Sequence, residues 1–98
     1  MTINTNVNGS TVSVALSGRL DTTTAPELEG ALKDLMNGCT NLEFDFSELE
    51  YVSSAGLRVL LAAQKTMNKQ GDMVIRNVDA SIMEVFEITG FVDILTIE

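Results

Sequence analysis

The start of the chain alternates, with Ile3, Thr5 and Val7 on one side, and apolar residues recur at every second position again in Val12, Val14 and Leu16. Between the two runs stands Asn8-Gly9-Ser10, a turn signal. Period-two spacing on both sides of an Asn-Gly pair predicts a β-hairpin. Residues 18–23 break the alternation and read as a loop. The spacing then changes to helical: Ala25, Leu28, Leu32, Leu35 and Met36 share one face, and Gly38 closes the run. Thr24 as cap, Pro26 in the first turn and Glu27 three residues after the cap predict a capping box at its start.

Alternation returns in Leu42-Glu43-Phe44-Asp45-Phe46, a third strand. After Ser47-Glu48-Leu49-Glu50, Tyr51-Val52 leads into Ser53-Ser54. A second helical face follows in Leu57, Leu60, Leu61, Gln64 and Met67, with Gly71 as its stop. Met73-Val74-Ile75 predicts a short buried strand. Asp79 predicts the cap of a third helix with Ile82, Val85 and Phe86 inward and Gly90 at its end, and 94–97 predicts a last strand. Strands that alternate with helices after an opening hairpin point to an α/β fold with a mixed β-sheet and three helices packed against it. Leu16, Phe44, Phe46, Leu60, Leu61, Val74, Val85 and Phe86 are expected in one core.

Composition narrows the class. At 98 residues, with one proline and no low-complexity stretch, the chain reads as one domain spanning 1–98. Fourteen acidic residues against six basic ones give a net charge of −8, which disfavours a nucleic-acid backbone and an anionic membrane surface as direct partners. There is no histidine, so neither a Ser-His-Asp triad nor a histidine-ligated metal centre can be built, and no glycine-rich phosphate loop is present. Glu48 and Glu50 read as a solvated loop, and no spacing favours pairing Ser53 or Ser54 with Lys65. Catalysis is not where these residues point, and no metal and no cofactor of the chain's own are expected. Cys39 stands alone, so neither an internal disulfide nor a CxxC pair exists, and it reads as a small apolar residue in a reducing compartment. No N-terminal signal pattern and no apolar run of about 20 residues appear, so a soluble, cytoplasmic protein is expected.

One segment exceeds what a helix start requires. Tyr51-Val52-Ser53-Ser54-Ala55-Gly56-Leu57-Arg58 holds two serines where one caps, and a glycine in the first turn, where it costs about 1 kcal/mol against alanine. Small side chains over 53–56 leave the helix N-terminus open, and its partial positive charge and unpaired N–H groups suit an anion. From the residues alone, plain capping and a functional terminus both stand.

The chain resembles the STAS-domain anti-sigma factor antagonists. Leu16-Ser17-Gly18-Arg19-Leu20-Asp21 is similar to the family's strand and Gly-x-Leu-Asp turn, and Val52-Ser53-Ser54-Ala55-Gly56-Leu57 to its Asp-Ser-Ser/Thr-Gly-Leu segment. Phe86-Glu87-Ile88-Thr89-Gly90-Phe91 is similar to its last helix and exit, so the likeness covers nearly the whole chain. The resemblance implies a binding module in a partner switch. Ser54 falls on the phosphoacceptor, Ser53 stands where the family often has Asp, and Arg58 where some members have Gly. Asp21 matches the family aspartate near the acceptor, and Thr22, Ser53, Ala55, Gly56 and Arg58 complete the implied partner-binding set. The implied partners are an anti-sigma factor that is also a serine kinase, which brings the ATP and its metal, and a phosphatase acting on phosphorylated Ser54. The alternative is a STAS subunit of a membrane lipid-transport ABC complex, using the same surface without phosphorylation.

Overall fold

The computed structural model describes residues 1–98. Its elements run β1 (Thr2–Asn8), β2 (Thr11–Leu20), α1 (Ala25–Leu35), β3 (Asn41–Val52), α2 (Ser54–Gln70), β4 (Asp72–Arg76), α3 (Ala80–Thr89) and a 3₁₀ turn (Phe91–Asp93). The strands form one mixed sheet in the order β1-β2-β3-β4, antiparallel at β1/β2 and parallel at β2/β3 and β3/β4. The predicted hairpin turns through Gly9-Ser10 with Gly9 at φ +64, a conformation that glycine enters freely, and Asn8 and Thr11 close it. Each parallel pair is joined through a helix, as parallel strands require.

Every second residue of β2 is buried (Val12, Val14, Leu16), as are Leu42, Phe44 and Phe46 of β3. These pack into one core with Leu28 and Leu32 of α1, Leu57, Leu60 and Met67 of α2, and Ile82 and Phe86 of α3. Ser13, Ala15, Glu43 and Asp45 alternate with the buried positions and are half-exposed on the other face. Phe46 is the hinge of the packing: its ring lies 5.9 Å from Phe44 and 6.5 Å from Phe86, linking the sheet to α3. Cys39 is buried in the same core, with its thiol on the carbonyl of Asn41.

Several expectations need correction. Leu61 is only half-buried and outside the core, because the inward face of α2 centres on Leu60, Ala63 and Met67 and leaves Leu61 on its flank. Val85 is half-buried against the core, and Val74, although buried, is not part of it, since Met73 and Ile75 are the residues of β4 that turn inward. Residues 94–97 do not form a strand: Leu95 plugs the core, Ile94 is exposed, and a single parallel bridge joins Ile97 to Ile75.

A further correction concerns the start of α1. Thr24 makes no side-chain cap, because its backbone is helical (φ −95, ψ −19) where a capping residue is extended. Its hydroxyl turns back to donate to the Arg19 carbonyl at 2.7 Å and accepts the Asp21 N–H at 2.9 Å.

Strand β3 is also longer than its alternation suggests. Its buried positions run 42, 44, 46, 49 and 52, so the spacing changes from two to three after Phe46. The register explains the change. Ala15 pairs with Asp45 but Ser17 with Glu48, and Gly18 with Leu49 but Arg19 with Tyr51. Each step places one extra residue on β3, a bulge that turns the strand without ending it. The two bulges carry Val52 alongside Leu20, where Ser53 N–H donates to the Leu20 carbonyl at 2.8 Å.

Candidate phosphoacceptor and partner-binding site

The site forms where β2 and β3 end side by side and release two helix starts on the same side of the sheet. Asp21 organises the first. Its Oδ1 accepts the N–H groups of Thr23 at 3.0 Å and Thr24 at 3.1 Å, and Ala25 N–H donates to its carbonyl at 2.8 Å. The Thr24 N–H is the main influence holding the Asp21 carboxyl below the usual carboxylate range, against a smaller opposing effect of desolvation; Thr23 N–H, the Thr24 hydroxyl and the Arg19 guanidinium add to the lowering. Asp21 therefore locks the loop that presents Thr22, which is exposed.

Ser53 organises the second start. Its backbone is extended (φ −92, ψ 175) and its hydroxyl accepts the Gly56 N–H at 3.3 Å, the N-cap of α2. Ser54 is then the first helical residue and is exposed. By position, the N–H groups of Ser54 and Ala55 have no intrahelical partner, so Ser54 Oγ leaves the helix beside two free donors. Arg58 lies four residues on, also exposed, and so on the same face as Ser54. Thr22, Ala55 and Arg58 line one shallow groove of about 230 Å³ with Ala25, Pro26, Glu29 and Val59.

Gly56 is placed differently from its neighbours. It is buried, and a Cβ built there would lie 2.7 Å from Leu20 Cγ and 3.1 Å from the Leu20 carbonyl. The glycine answers a demand of packing, where the sequence had suggested open access: it lets the first turn of α2 rest on the end of β2. The structure thus brings Ser54, Ala55, Arg58 and Thr22 to one surface, with Asp21 and Ser53 fixing the two loops and Gly56 beneath them.

Two residues at this end carry no signal in spacing. Arg19 lies over the Tyr51 ring at 4.1 Å and 3.8 Å from Asp21 Oδ2, beyond a hydrogen bond and within reach of charge. Tyr51 is 40% exposed and is the chain's only tyrosine, the kind of exposed aromatic that a sequence can flag as a contact residue. The chain has no cluster of three His, Cys, Asp or Glu side chains placed to hold a metal ion.

A serine thus stands at an open helix start, beside an aspartate-locked loop at one end of a mixed sheet. A family profile described as "Mlab, STAS domain" matches residues 3–96. The anti-sigma-B factor antagonist of Bacillus subtilis is 31% identical over 99% of this chain and 92% of its own. This chain belongs to the STAS family of anti-sigma factor antagonists. A second STAS relative, a Bordetella bronchiseptica protein named as an anti-sigma factor antagonist, is 36% identical over 84% of this chain and 72% of its own. The fold agrees: the Bacillus protein SpoIIAA, solved in its phosphorylated form, superposes with a TM-score of 0.76 at 18% identity, over 99% of this chain and 91% of its own. No helix is long and apolar enough to cross a membrane.

Proposed function

We propose that this STAS protein, acting as one domain in the cytoplasm, binds a serine-kinase anti-sigma factor through the surface around Ser54 and so releases the sigma factor. Phosphorylation of Ser54 ends the binding, and a phosphatase restores it. The observation that carries the reading is Ser54 itself, exposed at the first position of α2 beside the Asp21 loop, in a chain whose relatives are anti-sigma factor antagonists. In the transfer, Ser54 Oγ takes the γ-phosphoryl group of the kinase's ATP, ADP leaves, and the hydroxyl proton passes to the kinase.

The geometry supports a switch at that step. A phosphate at the helix start gains about 0.3–1 kcal/mol from the helix dipole and meets the free N–H groups of the first turn. Arg58, one turn on, is within the range of i,i+4 pairing and is drawn from an acidic partner to the phosphate. The fold therefore tolerates a change of about −1.5 to −2 in charge. The complex does not, because a dianion buried against a surface shaped for a hydroxyl is left desolvated. A coupling of about 3 kcal/mol weakens binding roughly 150-fold.

Calorimetric titration of the cognate kinase tests this. Ser54→Ala is expected to bind like the unmodified protein and to stay bound with ATP present, and Ser54→Asp to bind at least tenfold more weakly while remaining folded. Equal affinity of the two variants overturns the reading. Capture of an ABC ATPase in place of a kinase from native cells favours the lipid-transport alternative.

A further inference from the structure

The two edges of the sheet are treated differently. At β4 the C-terminal segment meets the edge at one bridge: Ile75 N–H donates to the Thr96 carbonyl, its own carbonyl accepts Glu98 N–H, and Arg76 lies 3.4 Å from Glu98. At β1 nothing covers it. Strand β1 pairs with β2 in unbroken register over seven residues, without bulge, proline or charged side chain. Those are the devices by which proteins keep an exposed edge from pairing with another strand. Their absence stands out in a chain with fourteen acidic residues, none of which falls in residues 2–8.

The polarity of that edge follows from the turn. Asn8 and Thr11 flank a two-residue turn and so form a hydrogen-bonded pair, and pairs alternate along an antiparallel ladder. Asn6, Asn4 and Thr2 therefore bond to β2, while the N–H and C=O groups of Ile3, Thr5 and Val7 point outward. These outward groups suit an antiparallel copy of β1 turned about a twofold axis at Thr5. In that arrangement Thr5 meets Thr5 of the second copy, and Ile3 meets Val7 in both directions. Six backbone hydrogen bonds form. Val7, 58% exposed in the single chain, gains an apolar neighbour in Ile3, and Asn4 lies opposite Asn6 across the axis.

We propose that β1 is a self-association edge, through which two copies of this chain join into one continuous eight-stranded sheet. The interface is isologous, as a twofold requires. Two seven-residue edges bury less than the roughly 1,200 Å² of a stable interface, so the dimer is weak and depends on concentration. Each copy carries a charge of −8, all of it from residues outside β1, so added salt screens the repulsion and strengthens association. An interface held by ion pairs shows the opposite dependence.

Sedimentation velocity across the micromolar to millimolar range, at low and high salt, tests the proposal. The expected result is a weight-average mass that rises from 10.6 kDa towards twice that value, further at high salt. Thr5→Lys lowers the net charge from −8 to −7 and so relieves general repulsion, yet sets two ammonium groups face to face on the twofold. Thr5→Pro removes the outward N–H at the axis, a change an edge strand accepts. Either variant, shown folded by circular dichroism, is expected to stay at 10.6 kDa at every concentration. A wild-type mass that does not change with concentration, or a folded Thr5 variant that associates as the wild type does, overturns it.

Discussion

Gly56→Ala isolates the contact that seats α2 on the sheet. The new Cβ stands 2.7 Å from Leu20 Cγ, 3.0 Å from Leu20 Cδ2 and 3.1 Å from the Leu20 carbonyl. Neither side yields easily: Leu20 is fully buried in the core, and its carbonyl holds Ser53 N–H at 2.8 Å. Forcing a methyl group into packed space costs about 1–3 kcal/mol. Alanine recovers up to about 1 kcal/mol of helix propensity, and less in a first turn. The net loss is therefore about 1–2 kcal/mol, and each kcal/mol lowers the melting temperature of a chain this size by about 4–8 °C. Urea titration gives the loss from the midpoint at unchanged slope. The cause is checked by a double-mutant cycle with Leu20→Ala, which alone costs about 2–5 kcal/mol by leaving a cavity. In that background Gly56→Ala is expected to be much less costly. A Gly56→Ala protein at least as stable as the wild type, or a cost unchanged by Leu20→Ala, refutes the reasoning.

Other substitutions separate the parts of the site. Ser53→Ala removes the acceptor of Gly56 N–H and is expected to cost about 0.5–2 kcal/mol in thermal unfolding, with Ser53→Asp restoring the cap. Ser54→Ala, at an exposed position with no capping role, stays within about 0.5 kcal/mol of wild type. Arg58→Ala also leaves stability within about 0.5 kcal/mol but weakens the partner complex and flattens its salt dependence, both read by calorimetry. Asp21, Asp45 and Asp79 each accept hydrogen bonds that hold their carboxyls below 3.8, so the stability they contribute is complete above that value and lost as pH falls through the lowered folded values. Asp21→Asn is expected to lessen the loss of stability in that acid range, measured by urea titrations from pH 5 downward.

The hairpin, three helices and most of the core were legible because each obeys a simple period. Val12, Val14 and Leu16 alternate, and Leu57, Leu60 and Met67 recur at helical spacing. Where the period was interrupted, legibility failed. The bulges of β3 change its spacing to three, so that Glu48 and Glu50 read as loop although they lie within the strand. Residues 94–97 look like a strand by composition but make one bridge, because only Leu95 is needed to fill the core. At the site, the surplus serine and the glycine of Ser53-Ser54-Ala55-Gly56 marked the segment. The distance that explains Gly56, to a residue 36 positions earlier in the chain, is a tertiary fact. The same holds for Thr24: its hydroxyl serves the Arg19 carbonyl, a partner that lies before the helix it was expected to cap.

The switch at Ser54 is tested most directly by incubating the protein with its cognate serine kinase and ATP and sequencing the tryptic fragment that ends at Arg58 by tandem mass spectrometry. Ser53 Oγ is engaged with Gly56 N–H, while Ser54, the first residue of α2, is exposed. The expected result is one phosphate, on Ser54, with Ser53 unmodified and no incorporation in Ser54→Ala. Phosphate on Ser53, or on neither serine, contradicts the account.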